Sequence, residues 1–335
     1  MTLHALLRPL LKRGVLVAAA NWPITLVQAA ADSMFKLLIA TPVVGGAILV
    51  AVVIGGEPVE LMRQEWREMA TTVVGSLLAH PLVLVAFLLA VAVTGLGGAL
   101  FVFLVKAGTV AVLVQGERQA GAIEVEPVHL DSLRQAAAFT PEFYIEACRR
   151  LFPRYARLGA MLMGVYLTSG GLYLGFIVVL GIIEDAWGLA ALSTLLFVAW
   201  ITVVNLGYLL VQIVIAADDC GVGPACSRAV AFMRHQRRQL SLVFASILAV
   251  VVMATGVSLL ATIALGLIGF VPFIGLAVLP LQLLAWLFRG LVFQFIGLTS
   301  VGAYLRLYRG YVAGRGDAPL PMLVRPEASG AGGHA

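Results

Sequence analysis

The chain has 335 residues, 61% of them hydrophobic and only 12% charged, with a formal net charge of +5. Soluble domains carry roughly 25% charged residues, so a mean hydropathy of +1.02 excludes a water-covered globule and makes lipid the solvent for most of the chain. The basic residues crowd into a few interhelical segments, which argues against a nucleic-acid-binding protein.

At the N-terminus, Arg8, Lys12 and Arg13 resemble the start of a signal peptide, but the apolar run 14–20 is short and breaks at Asn21-Trp22-Pro23. A retained amphipathic segment fits better. The stretch 15–32 is apolar but interrupted by Asn21, Pro23, Gln28 and Asp32, and is expected to lie along the interface. Six spans follow at 36–54, 82–105, 158–182, 189–216, 240–264 and 273–305. Each supplies the roughly 20 apolar residues that cross a ~30 Å hydrocarbon layer. The expected fold class is therefore all-α, a polytopic transmembrane bundle forming one membrane domain over 1–316. The Pro/Gly/Ala-rich stretch 317–335 reads as a disordered tail.

Two stretches strain this count. The run 75–116 is too long for one crossing; it either kinks at Gly95, Gly97 and Gly98 or projects beyond the membrane past Lys106. The run 290–304 is either an extra crossing or part of one long sixth helix. An extra crossing exports the arginine-rich tail, so the long or Gly290-broken helix is preferred.

Orientation follows from loop charge. Glu57, Glu60, Glu65 and Glu68 outweigh Arg63 and Arg67 in the first loop, and Glu184 and Asp185 mark the third, so both read as outside. Arg228, Arg234, Arg237 and Arg238 dominate the fourth loop, and Arg306, Arg309, Arg315 and Arg325 the tail. Both read as inside, giving a multi-pass protein of the cell membrane with N- and C-termini cytoplasmic.

Two inner segments carry amphipathic patterns. In 141–157, Phe143, Tyr144, Ala147, Leu151 and Phe152 oppose Arg149, Arg150 and Arg154. In 224–238, Ala225, Ala229, Val230 and Met233 share a face, with Arg228, Arg234 and Arg238 elsewhere. Pro224 suits the first helical position, and Asp218 and Asp219 lie just upstream of the positive dipole end. These segments read either as interfacial helices on an anionic leaflet or as solvated linkers with positive-inside charge.

Motifs for chemistry are sparse. HExxH, P-loop, GxGxxG, GxSxG and DDxxD patterns are all missing, and the five histidines are scattered without an i, i+4 pair. Cys148, Cys220 and Cys226 lack CxxC spacing and read as reduced, free thiols. No catalytic, cofactor or metal residues are expected. The six spans contain no Asp or Glu, which argues against an ion-coupled carrier. Arg289 alone stands deep in a span, where a charge costs about 2.5–3.5 kcal/mol on insertion scales. It marks either an anion or headgroup site, with Gln282, Gln294, Asn205 or Gln212 as polar lining, or an arginine that snorkels to the interface. Gly171 and Gly175 form a GxxxG pair and Gly164, Gly170, Gly266 and Gly269 add close-packing points. A short echo between 167–174 and 298–305 fits chance better than an inverted repeat.

The stretch 213–219, ending in Asp218-Asp219, and the following Ala225-Cys-Ser-Arg-Ala-Val-Ala-Phe-Met-Arg234 resemble bacterial six-helix membrane families. The membrane domain associated with glycerophosphodiester phosphodiesterases is the nearest, and 303–309, with its Tyr and Arg residues, resembles the end of its last helix. The likeness covers mainly the C-terminal half. It implies the membrane module alone, since no TIM-barrel strand pattern or metal-ligand cluster accompanies it. The expected function is a non-enzymatic membrane-organising or scaffold module. Its partners are anionic headgroups, and a membrane protein or a second copy; Arg228, Arg234, Arg237 and Arg238 are the candidate contacts. The alternative is a permease-like facilitator for an anionic or lipid-like substrate at Arg289.

Overall fold

A computed structural model describes residues 3–54, 79–125, 129–180, 187–269 and 274–315. The acidic residues of the first and third loops, Arg325 and the 317–335 tail lie outside them. The chain is an all-α polytopic bundle, 93% helical and without strands among the described residues. The helices are α1 (Leu3–Ala20), α2 (Trp22–Ile54), α3 (Pro81–Gln119), α4 (Leu130–Ala136), α5 (Pro141–Leu180), α6 (Trp187–Asp218), α7 (Val222–His235), α8 (Arg237–Gly269) and α9 (Ile274–Gly314). Six of them, α2, α3, α5, α6, α8 and α9, are long and apolar enough to cross a membrane.

Several boundaries differ from the sequence reading. The interfacial stretch 15–32 splits into the end of α1 and the start of α2, with a one-residue turn at Asn21. Pro23 does not break α2, because a second-position proline lacks only an N–H that has no helical partner. The amphipathic segment 141–157 is not a separate helix but the first turns of α5, continuous through Pro153. The sixth span is one unbroken helix through Gly290, and α3 likewise runs on past Lys106.

Contacts divide the chain into two compact units, Met1–Ala29 with Lys106–Ala335, and Ala30–Val105. The smaller unit holds the apolar stretches of α2 and α3. A Cβ on Gly98 of α3 meets the Phe35 ring of α2 at 2.4 Å, so glycine there permits that approach.

In the larger unit, burial changes sharply along each long helix. No residue is buried between 160 and 179 of α5, 187 and 209 of α6, 244 and 268 of α8, or 280 and 297 of α9. At 1.5 Å per residue these stretches measure ~27–37 Å, the thickness of a hydrocarbon core. Their side chains are large and apolar, such as Leu172, Leu195, Leu260 and Leu284, as expected where lipid completes the packing.

The buried residues gather at one end. Leu210, Ile213 and Ile215 of α6, Leu151 and Tyr155 of α5, Phe232 of α7 and Tyr304 and Leu305 of α9 form a protein core. The same end holds Val110–Val114 of α3, with Val17 of α1 and Ile24 of α2. Antiparallel pairing in α5–α6 is fixed by Tyr155 OH donating to Gln212 O (2.9 Å) near the core, a Tyr166–Asn205 hydrogen bond midway, and Tyr173 stacked on Phe197 (4.3 Å) beyond. α1 lies across α9 with touching backbones: a Cβ on Gly14 falls 2.5 Å from Thr299 O, and one on Gly302 falls 3.0 Å from Gly14 Cα.

Candidate functional site

The core end carries most of the described charge pairs. Arg13 of α1 is buried and reaches the C-terminal end of α3. Its Nε donates to both carboxylate oxygens of the fully buried Glu117 (2.7 and 2.8 Å), and its Nη1 to Gly121 O (2.6 Å) and to Glu124. Arg309 of α9 donates to Glu117 O (2.9 Å), and Arg306 pairs with Glu124 (3.3 Å). The guanidinium groups thus meet both the carboxylates and the orphan carbonyls at the negative end of the α3 dipole. Burial works against the Arg13 charge, but the bonds and charges of Glu117 and Glu124 outweigh it and raise its pKa. Burial likewise opposes Glu124 ionisation, yet a backbone hydrogen bond and Arg13 hold the carboxyl below its ordinary value.

Asn21 fills all its bonding capacity at the neighbouring corner. Its Nδ2 donates to Val17 O (3.0 Å) and Ala136 O (2.8 Å), while its Oδ1 accepts from the N–H groups of Ala138 (2.8 Å) and Phe139 (3.1 Å). Gly116 admits this approach, since a Cβ there meets Ala136 O at 2.7 Å and Asn21 Nδ2 at 2.8 Å.

Asp218 and Asp219 do not cap α7, whose N-cap is Gly221 without a side-chain hydrogen bond. Pro224 is accordingly the third helical residue, not the first; the N–H it lacks is still one without a helical partner. Asp218 Oδ2 accepts from Arg228 (2.6 Å) and from Tyr308 OH (2.6 Å). Asp219 terminates α6 with φ 48°, a left-handed conformation that Asp tolerates. It receives Arg154 in a short hydrogen bond and Arg150 at 3.6 Å, which ties the α6–α7 turn to α5. Arg118 donates to Ala217 O (2.7 Å), closing the last turn of α6. Burial, then the Asp218 charge, pushes the Cys220 thiol pKa up, and burial raises that of Cys226, keeping both protonated and unreactive.

The candidate arginines divide by environment. Arg228 is held by Asp218. Arg234, at the end of α7, and Arg237 and Arg238, opening α8, are exposed, and no ion pair involves them among the described residues. Arg238 is about 9 Å along α8 from residue 244, where burial ceases, which is headgroup height. The buried face of α7 is Ala225, Ala229 and Phe232, while Val230 is 40% exposed. The expected face through Val230 and Met233 is therefore rotated toward Phe232, which packs between Tyr308 and Tyr311 of α9 (both 5.4 Å).

Arg289 lies far from this network. It lines a cavity of about 890 Å³ between α8 and α9, together with Gln282, Ser258 and Thr262, and otherwise apolar side chains such as Trp286 and Phe293. Asn205 is not part of that lining; it bonds Tyr166 in the α5–α6 pair. Gln212 is buried in the core end and Gln294 is absent from the cavity wall. The guanidinium sits over the Phe293 ring at 5.7 Å.

Sequence reading missed Arg13, Glu117 and Asn21 as a set. A glutamate ending a long apolar run was the available signal, but its partner lies 104 residues away.

These features define a class: a polytopic helical membrane protein with a charged, protein-packed end and a lipid-exposed remainder. No family model matches the chain, and neither a curated protein nor a solved structure matches it.

Proposed function

We propose that the protein is a non-enzymatic membrane-organising module of the cell membrane, with its packed end and both termini on the cytoplasmic side. The carrying observation is the split among its arginines. Those inside the packed end are bound to carboxylates and helix C-termini, whereas Arg234, Arg237 and Arg238 stand exposed at the level where α8 meets lipid. Each such residue adds about 1 kcal/mol of attraction to an anionic leaflet. The resemblance to the membrane domain associated with glycerophosphodiester phosphodiesterases supports the same reading of a stand-alone module. The ion-paired end is a rigid platform for a membrane protein partner or a second copy, held at a set height by the arginines.

The test is lipid enrichment around the protein in mixed nanodiscs of phosphatidylcholine and phosphatidylglycerol, measured by quenching of a labelled anionic lipid. Joint substitution Arg234→Gln, Arg237→Gln and Arg238→Gln removes the enrichment on this reading. Unchanged enrichment refutes it. Side-specific labelling of a Ser227→Cys variant, at an exposed position of α7, with a membrane-impermeant maleimide tests orientation, and reaction from the outer side of intact cells overturns it.

A further inference from the structure

We propose that the seam between α8 and α9 is a binding site for a single anionic phospholipid, with its acidic head group on Arg289 and its chains along the groove. This inference is independent of the interfacial arginines and concerns a different part of the molecule.

The groove is built by helical spacing. On α9, Gln282, Trp286, Arg289, Phe293 and Ile296 form one stripe at steps of three or four residues. The facing wall of α8 mixes small residues such as Ala254, Ala261 and Gly266 with the larger Met253, Val257 and Leu265, and about 890 Å³ stays open between the two helices. That volume lies within the ~300–1,000 Å³ typical of specific ligand sites. Phe288, 67% exposed, and Trp286, 46% exposed, lie at its edge, so the groove opens sideways from α8 and α9.

Charge selects the occupant. Arg289 is exposed into the groove, and its described contact is a ring face rather than a carboxylate. No Asp or Glu occurs in any lipid-exposed stretch of α5, α6, α8 or α9, and no carboxylate pairs with Arg289 among the described residues, which leaves the guanidinium open to an anion. Leu298, where the packed end begins on α9, is about 13.5 Å away along the axis, further than an arginine side chain extends. A head group drawn inward along the groove meets the guanidinium partway.

The remaining polar groups are few. Gln282 Nε2 donates weakly to Leu265 O (3.4 Å), and Thr262 donates to Ser258 O within its own helix (2.8 Å). One cation among apolar walls matches an amphiphile: a soluble anion leaves those walls unfilled, and a neutral lipid leaves the arginine unpaired.

The experiment is native mass spectrometry of the full chain released from nanodiscs containing phosphatidylglycerol and phosphatidylcholine in equal amounts. The expected result is one retained phosphatidylglycerol, with affinity reduced at least tenfold by Arg289→Gln and largely kept by Arg289→Lys. Ala261→Trp fills the groove while leaving the charge, and also removes the bound lipid; it serves if Arg289→Gln fails to fold. Joint replacement of Arg234, Arg237 and Arg238 by Gln leaves this lipid in place, which separates the site from the interfacial reading. Equal retention by wild type, Arg289→Gln and Ala261→Trp overturns the proposal, as does indifference to head-group charge. Displacement of the lipid by millimolar inorganic phosphate overturns it too, because it assigns the site to a soluble anion.

Discussion

Replacing Arg13 by Leu removes the cation from a pair in which Glu117 is wholly buried and Arg13 only 3% exposed. Removing one partner of a buried pair costs about 3–5 kcal/mol, because the other charge stays buried and uncompensated. Here the lower end applies: Arg309 Nη1 remains 3.9 Å from the Glu117 carboxylate and supplies part of the missing charge. A loss of about 3 kcal/mol corresponds to a fall of roughly 6–12 °C in Tm at ~2–4 °C per kcal/mol for a chain of this order of size. Arg13→Lys keeps the charge but not the two-pronged contact with Glu117, Gly121 and Glu124, and falls by about half as much. Thermal unfolding followed by circular dichroism in one fixed detergent measures all three proteins. The double variant Arg13→Leu/Glu117→Leu supplies the internal check, since a buried pair replaced by apolar groups of similar volume is often neutral. It regains much of the single variant's loss. A single variant within 1 °C of wild type refutes the reasoning, and so does a double variant less stable than the sum of the two singles.

Gly302→Val sets its Cβ 3.0 Å from Gly14 Cα, where backbone cannot yield cheaply; α1 is expected to detach, seen as new proteolytic cleavage before residue 20. Asn21→Ala leaves the buried Ala136 carbonyl and the amides of Ala138 and Phe139 without their partner, costing about 2–3 kcal/mol in the same melting assay. Arg228→Gln leaves the Asp218 carboxylate, only 5% exposed, with Tyr308 as its partner, and lowers stability by about 1–3 kcal/mol. Acid weakens the packed end through Glu124. Its carboxyl titrates below its ordinary value when folded, so its contribution is full above the unfolded pKa of about 4.3 and is lost as pH falls through the lower folded value. Tm measured between pH 7 and 3 therefore declines in the acid range, and Glu124→Gln flattens that decline.

The pairing of Arg13 with Glu117 also shows why the candidate site was only partly legible. Hydropathy is local, and a 20-residue apolar run announces a span whatever surrounds it. Ion pairing is not: Glu117 and Arg309 are 192 residues apart, and nothing in either neighbourhood names the other. Asp218 and Asp219 illustrate the same limit. They lie just upstream of α7, as their position in the sequence shows, but the partners they bind, Tyr308 and Arg154, are brought in by other helices.

The amphipathic segments failed differently. The register of α7 was misread by one residue, because Val230 and Phe232 flank the same stripe and only the Tyr308–Tyr311 surface of α9 selects between them. The start of α5 merged with its span because Pro153 removes one helical N–H without forcing the chain out of the helix.

The sequence by itself determined the helical class, six apolar helices and the lone cation Arg289, since each follows from the cost of placing polar groups in lipid. Tertiary structure alone decided where lipid-facing helix gives way to protein-packed core. It also decided which arginines are consumed by carboxylates, and that α8 and α9 part around Arg289. Those outcomes depend on which helix faces meet, and helix faces meet through contacts between residues tens to hundreds of positions apart.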